Sequence, residues 1–510
     1  MEAPPQIVWF KRDLRVHDHA PLLRAVEQDA PIIPLYIVEP GYWRQSTASQ
    51  RHWAFIHDCL IDLDQSLKAL GQPLIIRVGE ACEVLKSLHY NHRVRTVWAH
   101  EETADLWTFR RDNRIREMCR DLGIALNEVP SNGIVRRLKS RDDWSRIRNA
   151  RMAEPILPKP AILKPLTSCV SECLPQKDDD RFGQTLPTAQ QVGGRSAAVC
   201  DLNSFLQTRA RGYLQHISSP LESDRYCSRL SAHLAWGSLS MREVVHALAT
   251  RRAQLSPLEK KTFGRNLSAF GSRLAWRCHF IQKLEDQPSL ETHCMHPAFE
   301  GLREDGNRED YFQAWANGQT GFPFIDACMR SLKHQGWITF RMRAMLVSFA
   351  SYQLWLDWRV TAPYLAGLFT DYEPGIHYSQ FQMQSGVTGI NSVRIYNPLK
   401  QGKDQDPSGT FIREWVPELK NYGMQKLHEP WLASSDLFFE QGAKNKVSYP
   451  PPVIDLIKSS KEAKEKIHAV KRSELFKGQS SEVLNKLGSR KRPHRKKHQK
   501  HKAVQLNLFN

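Results

Sequence analysis

The spacing of apolar residues along this chain changes from mixed to uniformly helical near residue 205. Ahead of residue 130, short runs rich in Ile and Val cover Gln6–Phe10, Ile32–Val38, 74–78, 95–99 and 126–129. Each has the length and β-branched content of a buried strand. Between them, apolar positions recur every three or four residues over 20–27, 52–70, 81–89 and 104–122, which predicts helices. Strands alternating with helices imply a parallel sheet covered on both faces. Such a sheet binds ligands beyond the carboxyl ends of its strands. No G-x-G-x-x-G occurs in this region, so an ordinary dinucleotide site is not expected there.

The fold class expected is therefore α/β plus all-α. Residues 1–130 form a Rossmann-like α/β domain. Residues 131–204, rich in Pro, Ser, Gln and Asp, form an interdomain linker. Residues 205–450 carry only the helical period and form an all-α domain. Residues 451–510 are basic and low in complexity, and a disordered tail is expected.

Composition narrows the class. Of the 510 residues, 41% are hydrophobic and 25% charged, as in a globular protein that folds in water. No run of 18 apolar residues and no secretory layout at the N-terminus are found, so a cytoplasmic monomer without a membrane span is expected. The ten cysteines are scattered, and neither Cys169 with Cys173 nor His293, Cys294 and His296 has partners at metal spacing; no metal is expected. The net charge of +18 is concentrated in the tail, where 458–502 hold 16 Lys/Arg against four acids. Such a distribution favours a nucleic-acid partner.

Three segments carry candidate chemistry. The first, TGFPFIDACMRSLKHQGWITFRMR at 320–343, sets Arg341 and Arg343 beside a dense apolar helix. Guanidinium groups in such surroundings need anionic partners. The second, Asp371, Tyr372 and Glu373, supplies carboxylates. The third, SRLSAHLAWGSLS at 228–240, offers Ser228, Arg229 and Ser231 at an expected helix start, suited to a pyrophosphate. Taken alone, Ser228 reads better as a plain N-cap.

In this order the three segments resemble the FAD-binding domain of the photolyase/cryptochrome family. IVWFKRDLRVHDHAPL (7–22), FGSRLAWRCHF (270–280) and RIYNPLKQGKDQDPSGTFIREWVPEL (394–419) are similar to other blocks of that family, so the resemblance covers about 6–420. It implies an N-terminal antenna domain followed by a helical FAD-binding domain. It assigns the cofactor to Tyr213, Cys227, Ser228, Arg229, Leu230, Ser231, Arg277, Arg343, Asp371, Tyr372 and Glu373. Cys227 stands where the family usually has threonine, and Glu373 where it usually has aspartate. The resemblance further implies a face for ultraviolet-damaged DNA at Arg273, Trp276, Arg277, Trp337, Arg341, Gln401 and Lys403. Trp276 would be the aromatic wall for a flipped base and Arg273 replaces a glutamate general in cyclobutane-dimer enzymes. Trp358 matches the middle of three tryptophans that reload the flavin; the distal position falls on Asp305, and no tryptophan stands in 375–386. His100 and Glu101 resemble positions that bind a folate antenna in some members, with a deazaflavin as the alternative. The implied activity is light-driven repair of pyrimidine dimers; a cryptochrome photoreceptor and a light-independent DNA-binding flavoprotein are the alternatives.

The chain ends in QLNLFN. Gln505, Leu506, Leu508 and Phe509 resemble the QLxLF peptide with which bacterial replication and repair proteins hold the sliding clamp. A helix end docking on its own domain is the other reading of these residues.

Overall fold

In the computed structural model, residues 3–183, 190–306, 308–432 and 449–489 are described. The terminal QLNLF lies outside them. Five strands, β1 (Gln6–Phe10), β2 (Ile32–Val38), β3 (Ile75–Val78), β4 (Thr96–His100) and β5 (Ala125–Val129), form one parallel sheet in the order β3-β2-β1-β4-β5. The central strand β1 pairs Trp9 with Leu35 of β2 and with Ala99 of β4. Because side chains alternate across a strand, β1 feeds two cores. Val8 and Phe10 pack with Trp53 and Phe55, while Ile7 and Trp9 pack with Leu85 and Ile115. Those partners come from helices on opposite faces, α1 (Gln50–Lys68) for the first and α2 (Ala81–His92) with α3 (Leu106–Asp121) for the second.

The remainder is helical. The elements that matter below are α4 (Pro257–Asp286), α5 (Pro323–Gln335), α6 (Phe340–Ser348), α7 (Trp358–Leu368), α8 (Pro374–Ser385), α9 (Leu456–Arg472) and α10 (Glu474–Leu487). Ser256 and Glu259 close a capping box at the start of α4, and Pro257 takes the first helical position. At 1.5 Å per residue this helix runs about 45 Å.

The sheet docks on the helices through buried polar contacts. Arg12 donates from Nε to the Ala235 carbonyl at 3.0 Å and from Nη2 to the Tyr372 carbonyl at 2.5 Å. Its guanidinium lies 4.2 Å from the Trp236 ring centroid. Gly237 has φ +77, and a Cβ there would run into the Arg12 carbonyl, so only glycine permits this approach. His52 Nε2 pairs with the Phe369 carbonyl at 2.8 Å, and Arg51 Nη2 donates to the Lys333 carbonyl at 2.6 Å.

Two segments differ from expectation. Within 131–204, the helix Arg141–Ala153 buries Trp144 and Met152, so this stretch is partly core. Within 451–510, α9 and α10 pack on the helical domain where disorder was expected. Ala463, Ile467 and Val470 share one face at helical spacing, and Val483 and Leu487 join Leu284 and Leu290. Lysines on the outward face conceal this stripe in any compositional average. His296 stacks on Phe476 with ring centroids 4.3 Å apart, and Lys466 lies 4.5 Å from the Trp355 ring. Among the described residues, no helix is long and apolar enough to cross a membrane.

Candidate functional site

The helical part encloses a cavity of about 920 Å³. Every residue expected at the cofactor lines it: Tyr213, Cys227, Ser228, Arg229, Leu230, Ser231, Arg277, Arg343, Asp371, Tyr372 and Glu373. Arg273, Trp276, Trp337 and Arg341 line it as well. Three predicted residues do not. Trp358 is 1% exposed inside the core behind the cavity. Gln401 and Lys403 lie on the helix Pro398–Gln405, which packs against Phe324 of α5 through Gly402, and Lys403 Nζ is taken by Glu429 at 2.5 Å. Both therefore lie outside the cavity that Trp276 lines, and Lys403 is exposed.

One end of the cavity is built from ion pairs. Arg343 Nη1 and Nη2 donate to Asp371 Oδ1 and Oδ2, both at 2.9 Å, while Nε donates to the Ile338 carbonyl at 2.9 Å. The Phe369 ring backs the guanidinium at 4.1 Å. Burial alone would raise the Asp371 carboxyl, but Arg343, Ser231 and Arg229 hold it below the usual range. Arg277 Nη2 donates to Glu373 Oε2 at 2.6 Å. Nearby, Arg229 has φ 61, and its guanidinium stacks 4.1 Å from Trp337 while pairing with Asp224 at 3.0 Å. The helix beyond it starts at Ser231, so Ser228 is not its cap. Ser228 Oγ instead accepts from the Leu230 N–H at 3.4 Å. Burial pushes the Cys227 thiol up to about 12, so it contributes a neutral surface.

The other wall is one face of α4. Lys261, Arg265, Asn266, Arg273, Trp276 and Phe280 recur at helical spacing along it. Arg273 lies 4.5 Å from the Trp276 ring. Lys261, Arg265 and Asn266 were not foreseen; extending the period of Arg273 and Trp276 backward through about three turns finds them. Gln380 on α8 also lines the cavity, and its buried Oε1 has no protein partner among the described residues. Among the described residues, eight Lys/Arg side chains and two carboxylates face this space, and both carboxylates are already paired with arginine. The excess of donors and the orphaned amide oxygen fit a ligand carrying phosphates and ring N–H groups, and the volume is that of a large cofactor site.

Behind the cavity an aromatic series leads into the core. His377 and Phe381 line the cavity with centroids 4.6 Å apart, His377 is 5.4 Å from Tyr378, and Tyr378 is 6.4 Å from Trp358. Burial pushes His377 down to about 4, and Nε2 binds the Ala362 carbonyl at 2.9 Å, so the ring is neutral. Asp305 is exposed, and Trp355 packs beside it: a Cβ on Gly306 would sit 3.1 Å from Trp355 Cδ1.

Between the sheet and the helical part, His100 and Glu101 line a separate space of only about 60 Å³, well short of a folate or deazaflavin site. His100 Nδ1 instead meets Asp13 Oδ2 at 2.6 Å, and His19 Nε2 meets the same oxygen at 2.9 Å. This buried group was missed in the sequence because its members come from separate strands and loops. Of the run examined for metal, His296 binds the Phe476 carbonyl at 3.1 Å and Cys294 Sγ accepts from Arg359 at 3.7 Å.

Residues 6–142 match the family model for DNA photolyase, and 270–469 match that for the FAD binding domain of DNA photolyase. A deoxyribodipyrimidine photo-lyase from Streptomyces griseus is 31% identical over 88% of this chain and 96% of its own. A cryptochrome DASH from Gloeobacter violaceus is 28% identical over 90% of this chain and 95% of its own. The crystal structure of an archaeal photolyase from Sulfolobus tokodaii with two FAD molecules superposes with a TM-score of 0.74, at 25% identity, covering 91% of this chain and 100% of that one.

Proposed function

This chain belongs to the photolyase/cryptochrome family, and on that footing we propose that it is a light-driven lyase that repairs pyrimidine dimers in DNA. The observation that carries the reading is one cavity lined both by the paired Arg343–Asp371 and by Arg273 with Trp276. Reduced FAD, when bound there, supplies electron donation under blue light.

The chain's own residues bind and orient. Arg229, Ser228 and Ser231 would hold the pyrophosphate by charge and hydroxyl hydrogen bonds. Arg343 would lower the cost of negative charge on the flavin ring, with Asp371 balancing it when the ring is neutral. Tyr213, Cys227, Leu230 and Tyr372 would exclude water, and Gln380 Oε1 would accept from a ring N–H. At the mouth, Trp276 would stack on an extruded dimer, whose weakened stacking makes it cheaper to flip than an intact pair. Arg273 donates only, so it would meet carbonyl or phosphate oxygens of the lesion. Trp337, Arg341, Lys261 and Arg265 would position the strand through its backbone. Trp358 would pass electrons inward through Tyr378 and His377; transient absorption should show a tryptophan radical that Trp358→Phe abolishes.

The test is direct: reduced protein, ultraviolet-damaged oligonucleotide and blue light, followed by chromatography of the restored bases. Repair only in light supports the lyase. A second reading, a cryptochrome photoreceptor, is favoured by Arg273 in place of glutamate and by the absence of tryptophan from 375–386. It predicts a light-dependent flavin change with neither repair nor damage binding; damage binding without light chemistry would point to a plain DNA-binding flavoprotein.

A second light-collecting chromophore, folate or deazaflavin, would sit on the N-terminal domain away from His100 and Glu101. The clamp peptide remains a proposal from Gln505, Leu506, Leu508 and Phe509 alone. A peptide of 504–510 should bind purified sliding clamp, and the same peptide with Leu508→Ala and Phe509→Ala should not.

A further inference from the structure

The small cavity shares a wall with the large one: Leu234, Arg277 and Glu373 line both. Within that wall Arg277 Nη2 holds Glu373 Oε2 at 2.6 Å and the Leu234 carbonyl at 2.8 Å. Across from it stand charged residues from the carboxyl edge of the sheet, among them Lys11, Asp13, Glu101 and Glu102. A water needs roughly 10–15 Å³ of such space and two or more polar partners. At about 60 Å³ and with this lining, the cavity has room for a few waters.

Most of the lining groups are already engaged. Lys11 pairs with Glu102 at 3.4 Å and with Asp112 at 3.3 Å; Glu102 also takes Arg111 at 2.6 Å. Asp13 is shared by His19 and His100, Arg12 is bound to backbone carbonyls, and Arg15 donates to the Gly237 carbonyl at 3.1 Å. Glu101 differs. It is half-buried, and among the described residues its carboxylate has no ion pair within 4.0 Å. The charges facing it are Arg136, Arg151, Glu285 and Glu128. Arg136 is held by Glu128 at 3.0 Å, and Arg151 by the Ile134 carbonyl. Burial raises the Glu101 carboxyl above the usual range, against the pull of the two arginines.

We propose that the small cavity is a proton port for the large one, in which water relays protons from Glu101 across the wall that Arg277 and Glu373 form. The inference rests on the flavin reading of the large cavity and not on lesion repair. An electron placed on a ring in a dry pocket brings a charge that one proton neutralises. A nucleic acid seated on the mouth would block delivery from the front, whereas the small cavity meets the large one at Leu234, Arg277 and Glu373. The first electron supplied by an added thiol or dithionite is matched by one proton that enters from solvent through Glu101, and the second stays as the negative charge that Arg343 balances.

The holoprotein loaded with FAD tests this. The proton-coupled absorbance change during reduction is followed in H2O and D2O, alongside proton uptake by an indicator dye. Glu101→Gln should slow the isotope-sensitive phase by roughly tenfold or more. Glu101→Asp should retain most of the rate, and added formate or imidazole should restore it in Glu101→Gln. FAD content and melting temperature check that the variants fold. Proton uptake at the unmutated rate in Glu101→Gln, or a slowed rate that no small acid rescues, overturns the port alone. Failure of the unmutated protein to take up FAD overturns the port and the flavin reading together.

Discussion

Arg343 reaches across 28 positions to grip Asp371 with two parallel hydrogen bonds of 2.9 Å, and Asp371 is only 8% exposed. Removing one partner strands a charge in a dry pocket, an effect of about 3–5 kcal/mol. Asp371→Asn should therefore lower stability by about 3 kcal/mol and reduce the FAD retained per protein, read by thermal unfolding and absorbance. Because the folded-state pKa of Asp371 is depressed, its contribution is complete above the ordinary carboxylate range near pH 4 and fades as pH falls through the folded value. Melting curves of the two proteins should converge only below about pH 4.

Glu291 shows the opposite sign. It accepts from the Leu106 N–H at 2.6 Å, tying the helical domain to the start of α3. Burial and the nearby Asp105 charge push its carboxyl up to about 7. The folded state thus holds this proton more tightly than the unfolded chain. Stability should fall as pH rises from about 4.5 to 7 and level off above. Glu291→Gln should flatten that part of a melting-temperature profile.

Arg273→Ala should weaken binding of ultraviolet-damaged duplex and reduce the slope of log K against log salt by about 1, if this arginine meets a phosphate. An unchanged slope with weakened binding would move Arg273 onto a base oxygen. Trp276→Ala should cost about 1–3 kcal/mol of preference for damaged over intact DNA. Fluorescence anisotropy across a salt series measures both.

Ile467 is fully buried, whereas Ile457 on the same helix is 82% exposed. Ile467→Ala should cost about 2–4 kcal/mol, and Ile457→Ala should change little. Chemical denaturation of the two variants checks that α9 is part of the core.

Strands buried on both faces are continuous apolar runs, which is why β1 and β2 are read from the sequence with their observed limits and the other three to within one residue. Contiguous clusters such as 228–231 and 371–373 were legible for a similar reason: neighbours in sequence reach one cavity together. The α4 wall is spread over five turns, so only the part nearest Trp276 was noticed. In α9, lysines outnumber the apolar residues that pack, and average hydropathy hides an ordered stripe.

Arg12 finds its acceptor, the Tyr372 carbonyl, 360 positions downstream. At ribosomal speeds of about 5–20 residues per second, that carbonyl is made roughly 20–70 s after the arginine. Throughout this interval the nascent sheet presents an unmatched cationic edge to solvent. Slower translation or a missing chaperone should consequently harm the yield of this protein more than that of an isolated sheet domain, whose partners all lie close in the message.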